Sequence, residues 1–376
     1  MTVTKEQVLA NLAKVPSPNG TPITQTGALS DIVVTDGKVF FSITVDAGAV
    51  QAWEPVRKRA EEAVRAVPGV QSALVALTAE RKAGAAPARA PQGGPAPGPR
   101  AAAQGQQAGV PGVEAIIAVA SGKGGVGKST TAVNLALGLA TLGLKVGILD
   151  ADIYGPSLPK LLAIKERPQT LGGTRLKPIT RYGLTVMSIG FLIDEETPMI
   201  WRGPMVISAL TQMLREVEWG ELDVMVVDMP PGTGDAQLTM AQQVPLKGAV
   251  IVSTPQDLAL IDARRGIAMF QRVNVPVLGI VENMSYFQCP ECGTRSDIFG
   301  HGGARHEAER QGVPFLGEVP LHMTIREKSD SGMPVVATEP DGVHAKIYRE
   351  IAVKVLEQIK GGAAAGRIAP KIVIEA

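Results

Sequence analysis

Cysteine is nearly absent: the 376-residue chain has two, Cys289 and Cys292. Two thiols this few and this close do not make the disulfide framework of a secreted scaffold, and a reducing compartment suits them better. Charge of either sign is not in excess, with 37 Lys+Arg against 36 Asp+Glu, so bulk charge gives no footprint for nucleic acid or an anionic membrane surface. No run approaches the ~18 uninterrupted apolar residues of a membrane span. The start, Met1-Thr2-Val3-Thr4-Lys5-Glu6, lacks the basic and apolar regions of a secretory signal. No internal repeat is visible. These absences predict a cytoplasmic protein with no nucleic-acid and no membrane partner. What remains is 45% hydrophobic and 4% aromatic residues, a soluble globular composition long enough for two or three domains.

Residues 81–112 contain only Ala, Pro, Gly, Gln, Arg, Lys and one Val, too little apolar surface to offset the entropy of ordering. They are expected to form a disordered, semi-extended linker. Before it, residues 1–80 read as a small α+β domain. It has a helix over 5–14, strands over 33–45 around Thr35-Asp36-Gly37-Lys38, and a helix over 52–66 with Trp53, Val56, Ala60 and Val64 on one face. A strand at Val70–Leu77 closes it. After the linker, residues 113–360 carry apolar runs at Ala115–Ala120, Lys145–Leu149, Val224–Val227, Ala249–Val252, Pro276–Val281 and Pro314–Leu316, with helical patterns between most of them. Thr180–Phe191 adds one more strand. Buried strands alternating with helices predict an α/β, doubly wound, mostly parallel sheet covered on both faces. Residues 361–376 are left as a C-terminal tail containing the β-like run Lys371-Ile372-Val373-Ile374.

The segment Gly122-Lys123-Gly124-Gly125-Val126-Gly127-Lys128-Ser129-Thr130 fits G-x-x-x-x-G-K-[ST], follows the strand Ala115–Ala120 and opens a helix over Thr130–Leu142. Glycines let backbone N–H groups turn inward around phosphates, and the helix N-terminus favours their charge. Lys128 is placed to neutralise the β/γ-phosphates and Ser129 to ligate Mg2+. A Gly-rich turn that binds nothing is the bland alternative, and both flanking elements argue against it. A nucleotide site also needs an acid at the end of a buried strand, and Val224-Met225-Val226-Val227-Asp228 supplies one. The following Met229-Pro230-Pro231-Gly232-Thr233-Gly234-Asp235 suits a γ-phosphate sensor. Asp150-Ala151-Asp152 closes another strand at the sheet edge where such folds bind ligands; positioning the attacking water competes there with helix capping.

Cys289-Pro290-Glu291-Cys292-Gly293 is a Cys-x-x-Cys in a loop. A redox dithiol normally opens a helix, and the polar Thr294-Arg295-Ser296-Asp297 gives none. Zinc or an iron–sulfur cluster takes four ligands. Two chains across a twofold axis would supply four cysteines; His301 and His306 offer completion within one chain instead.

Together these residues resemble an Mrp/ApbC-type iron–sulfur cluster carrier, a P-loop ATPase related to MinD and the nitrogenase iron protein. The resemblance covers nearly the whole chain. It rests on Ser121–Thr130, Asp150-Ala151-Asp152-Ile153-Tyr154-Gly155-Pro156-Ser157, Trp201-Arg202-Gly203-Pro204-Met205, Asp228–Asp235, and Glu282-Asn283-Met284-Ser285 ahead of the cysteine pair. It implies ATP hydrolysis, with Lys123 as a signature lysine reaching the partner's nucleotide phosphates in an ATP-dependent homodimer. It also implies Asp152 at the hydrolytic water, Asp228 at Mg2+ and Asn283 at adenine. Cys289 and Cys292 match the pair that bridges a [4Fe-4S] cluster between two subunits. Recipient apo iron–sulfur proteins and scaffold proteins are the implied partners. Residues 1–80 resemble the small domain that precedes such ATPases and often bears a reactive cysteine; this one has none. Competing readings are a MinD- or ParA-like positioning ATPase, an electron-transfer ATPase like the nitrogenase iron protein, and a zinc-bridged dimer.

Overall fold

The computed structural model describes residues 3–30, 32–35, 38–46, 49–70, 72–80, 109–172, 175–192 and 203–365. The chain divides into two compact units, residues 1–106 with 197–211, and residues 107–196 with 212–376. Residues 81–108 of the expected linker and 366–376 of the expected tail lie outside the described residues, as do Trp201 and Arg202.

In the first unit, α1 (Lys5–Leu12) starts at a capping box: the Thr4 hydroxyl accepts from the Gln7 N–H at 3.4 Å and the Gln7 side chain accepts from the Thr4 N–H at 3.1 Å. Strands β1 (Val33–Thr35) and β2 (Lys38–Asp46) pair antiparallel, and β3 (Ser72–Glu80) pairs parallel to β2. A parallel pair needs a crossover, and α2 (Val50–Arg65) provides it. Val39, Phe41, Ile43 and Val45 alternate along β2 onto one face. Val56, Ala60 and Val64, spaced at i, i+4 and i+8 on α2, bury against them, with Trp53 partly buried alongside.

The second unit has a turn spanning 110–113, and Val110, within the expected linker, is buried. Its elements run β4 (Val113–Ala120), α3 (Lys128–Ala140), β5 (Val146–Asp150), α4 (Leu158–Leu161), β6 (Gln169–Thr170), β7 (Leu176–Lys177), β8 (Ile179–Arg181) and β9 (Leu184–Ser188). Helix α5 (Gly203–Arg215), whose residues up to 211 are grouped with the first unit, precedes β10 (Leu222–Asp228), α6 (Asp235–Gln243), β11 (Gly248–Ser253), α7 (Asp257–Arg272) and β12 (Val277–Gln288). Then come β13 (Arg295–Ser296), α8 (Gly303–Gln311), β14 (Phe315–Leu321), α9 (Met323–Asp330), α10 (Val335–Thr338) and α11 (Val343–Ala365). Nine strands form one sheet in the order β13-β12-β11-β4-β10-β5-β9-β8, with β14 also on β12. All pairs are parallel except β8 with β9 and β13 with β12. The expected doubly wound sheet is therefore present. Ile117, Ala118 and Val119 of β4, Ile148 and Leu149 of β5, and Val226 and Val227 of β10 are fully buried, as strands covered on both faces must be.

Three details differ from the sequence expectation. Thr180–Phe191 is a hairpin, because Tyr182 and Gly183 both take positive φ (50° and 79°) and turn the chain, and its end is a short 3-10 turn. Strand β12 continues to Gln288, so the cysteine loop leaves directly from a strand end. Helix α11 runs on past residue 360 to Ala365. Among the described residues, no helix is long and apolar enough to cross a membrane.

Candidate functional site

Strand β4 delivers the glycine-rich loop into the start of α3, at the carboxyl edge of the sheet. Gly125 and Gly127 have φ of 81° and 79°. At Gly127 a Cβ would also lie 2.1 Å from Asn283 Nδ2, so both conformation and space require glycine there. Thr131 donates its hydroxyl to the Gly127 carbonyl at 2.9 Å, fixing the first turn. Lys128, 7% exposed, points into the site: its Nζ lies 2.6 Å from Asp228 Oδ1 and 3.1 Å from Ser129 Oγ. Asp228 ends β10 and is fully buried, and its Oδ2 has no hydrogen-bond partner among the described residues. An ionised oxygen left bare in the interior is expensive unless something cationic completes it.

Asp150 ends the neighbouring strand β5 and pairs in register with Asp228. Its Oδ2 accepts from the Ser157 N–H at 2.9 Å, the Leu158 N–H at 3.0 Å and the Ser188 hydroxyl at 3.0 Å, and Oδ1 accepts from the Asp152 N–H at 3.2 Å. Asp150 thereby fixes the loop that carries Asp152. Complete burial, reinforced by the charge of Asp228, pushes the Asp150 carboxyl up to about 7. Asp152 is also raised, first by burial; Lys128 opposes the shift and Asp228 adds to it. The loop residues, Asp152, Ser157 and Pro231 line a cavity of about 290 Å3. Lys123 is half-buried at the loop's outer turn.

Asn283 is buried under the same loop and donates its side-chain amide to the Val126 carbonyl at 2.8 Å. The expectation brought it to adenine; its contact here is to the loop backbone. Farther along β12, Cys289 is half-buried and Cys292 exposed, both free thiols. The Cys289 N–H donates to the Thr294 carbonyl, and the Gly293 N–H donates back to the Cys289 carbonyl, each at 2.9 Å. These bonds close a tight loop at the end of β12. Cys292 Sγ lies 3.1 Å from the Thr294 hydroxyl, whose hydrogen bond lowers the thiol's pKa. His301 contacts Arg295 at 2.7 Å. Glu282, His301 and Glu318 place ligand atoms within 4.8 Å of one another, but Arg295, 3.9 Å from Glu318 and stacked 4.0 Å over the Tyr286 ring, already fills that acidic corner.

Residues 112–356 match the family described as NUBPL iron-transfer P-loop NTPase. The chain belongs to that family. Residues 5–75 match a second description, iron-sulfur cluster assembly protein. The iron-sulfur cluster transfer protein NUBPL of Dictyostelium discoideum is 55% identical over 253 residues, 67% of this chain and 78% of that protein. The iron-sulfur cluster carrier protein of Escherichia coli K12 is 56% identical over 254 residues, 67% of this chain and 69% of that one. A solved nucleotide-binding protein from Archaeoglobus fulgidus, in complex with ADP, is 41% identical, covers 62% of this chain and 91% of its own, and superposes with a TM-score of 0.55.

For this iron-transfer NTPase, the structure gathers Lys123, Lys128, Ser129, Asp152, Asp228 and Asn283 around one loop and leaves Cys289 and Cys292 at the sheet edge. Three residues given no role in the sequence prove structural: Ser157 and Ser188 hold Asp150, and Glu282 holds the start of α8. Glu282 was accessible by the signal used for Asp228, an acid directly after a buried apolar run.

Proposed function

We propose that this P-loop ATPase is a carrier that binds an iron–sulfur cluster on the cysteine pairs of two subunits and hands it to apo-proteins. The observation that carries the reading is the pairing, in one unit, of an open cysteine loop with a phosphate-binding loop. With only two thiols per chain, a second copy completes a four-cysteine site, which suits a [4Fe-4S] cargo. Two free thiols favour a reducing, cytoplasmic setting.

The glycine-rich loop donates its backbone N–H groups to the phosphates of ATP. Nucleotide offers Lys128 a second partner, and as its ammonium shifts from Asp228 to the β/γ-phosphates the carboxylate is released. Asp228 Oδ2, buried and bare, then fits Mg2+ together with the Ser129 hydroxyl. Mg2+ bound there would draw charge from the phosphates during hydrolysis. Asp152, held by Asp150, orients the attacking water, and Lys123 reaches the partner's phosphates.

Anaerobic reconstitution with iron and sulfide tests the reading. Brown protein with ~four iron atoms per dimer is expected, together with loss of that iron in a Cys289→Ser, Cys292→Ser double variant. Colourless protein holding zinc, or a variant that keeps its iron, rejects it. Lys123→Ala is expected to fold normally yet hydrolyse ATP slowly; unchanged turnover would remove the lysine from the partner's site.

A further inference from the structure

Glu282 and Asn283 are neighbours on β12, so their side chains leave opposite sides of the strand. Asn283 reaches the phosphate-binding loop through its 2.8 Å bond to the Val126 carbonyl. Glu282, fully buried, reaches the other way: it accepts from the N–H groups of Ala304 at 2.6 Å and Gly302 at 3.3 Å, where α8 begins, and from the Ser285 hydroxyl at 2.6 Å. Between those two ends lies the whole cysteine loop. The chain runs along β12 to Gln288, passes Cys289 and Cys292, and returns within reach of the Glu282 carboxylate.

The next residue, Met284, adopts φ of 54°, a left-handed conformation that a residue with a side chain takes only at a cost. It sits where the pairing of β12 with β14 slips between Asn283 and Phe287. A second tether runs in parallel. Gly122 packs so closely on α7 that a Cβ would lie 2.2 Å from the Asp262 backbone, and Arg264 of that helix holds Glu307 of α8 through two bonds of 3.0 and 3.1 Å. Both the departing strand and the returning helix are thus fastened to the loop that surrounds phosphate.

We propose that Asn283 is the positioning residue through which the phosphate-binding loop controls the cysteine loop. The Val126 peptide belongs to the segment that must conform to bound phosphates, and the Asn283 amide follows its carbonyl. Strand β12 is hydrogen-bonded on both sides and does not stretch, so displacement at Asn283 passes through Glu282 to the start of α8 and closes or opens the loop between them. The proposal rests on the carrier reading for what the loop holds, and it requires no cluster to be tested.

Hydrogen exchange over residues 289–302 of the full-length protein supplies the test, without nucleotide and with Mg2+ plus a saturating non-hydrolysable ATP analogue. The wild type is expected to change its exchange in this segment when the analogue binds. Asn283→Ala is expected to lose that change while the amides of residues 122–130 still gain protection. Glu282→Gln leaves the phosphate-binding loop untouched and is expected to lose the change as well. A wild-type segment that ignores the analogue overturns the proposal. So does an undiminished response in Glu282→Gln, or in an Asn283→Ala protein whose phosphate loop is protected. Failure of the carrier reading shows separately, as absence of iron and sulfide in reconstituted wild-type protein.

Discussion

Lys128 and Asp228, one hundred residues apart in sequence, form an ion pair of 2.6 Å with 7% and 0% of their side chains exposed. Removing one partner of such a pair strands the other charge in the interior, at a cost of about 3 kcal/mol or more. Lys128→Ala is therefore expected to lower stability by that order in urea titrations and to reduce phosphate release by ~100-fold or more, the scale of losing a charge-stabilising group. Unimpaired hydrolysis would remove Lys128 from the phosphate site.

Asp150 gives a pH prediction. Its folded pKa, about 7, lies above the ordinary aspartate value of 3.8, so the folded protein holds a proton that the unfolded chain has released. Stability from this group is complete below the unfolded value and drains away as pH rises toward about 7. Urea titrations of nucleotide-free protein in EDTA are expected to show stability falling across that window. Asp150→Asn should flatten the slope; an unchanged slope would place the ionisation elsewhere.

Gly127 is constrained twice over, by its φ of 79° and by the Asn283 amide that a Cβ would strike. Gly127→Ala is expected to cost about 2 kcal/mol or more from backbone strain with the added clash. Nucleotide affinity should fall with it, measured by titration calorimetry. A variant as stable as the wild type would mean that the loop has room the structure does not show.

Thr294 holds the sulfur of Cys292 and favours its thiolate. Thr294→Val is expected to slow alkylation of Cys292 by iodoacetamide near neutral pH, because the thiolate is the reactive form. Equal rates would show that the loop's backbone alone sets the thiol's acidity.

Most of the sheet was legible because each central strand is an apolar run ended by a polar or glycine-rich turn. The phosphate loop was legible because its function fixes residue types at fixed spacing. Boundaries at the sheet's edges were less so. Strand β12 continues through Glu282, Asn283 and Ser285, whose polarity reads as the end of a strand, yet Glu282 and Asn283 find buried partners in other segments and Ser285 donates to Glu282. The hairpin at Tyr182-Gly183 was hidden because one non-glycine residue accepts a positive φ there.

By itself the sequence determined the parallel sheet, the phosphate-binding loop, the acid Asp228 at the end of a buried strand and the cysteine pair, since period, glycine placement and residue chemistry are local properties. Only tertiary structure decided that Lys128 meets Asp228, that Asp150 accepts from the Asp152, Ser157 and Leu158 N–H groups, and that Asn283 braces Val126. Those outcomes depend on which strand ends the register brings side by side at one sheet edge, and pairing between remote segments is a property of the packed chain.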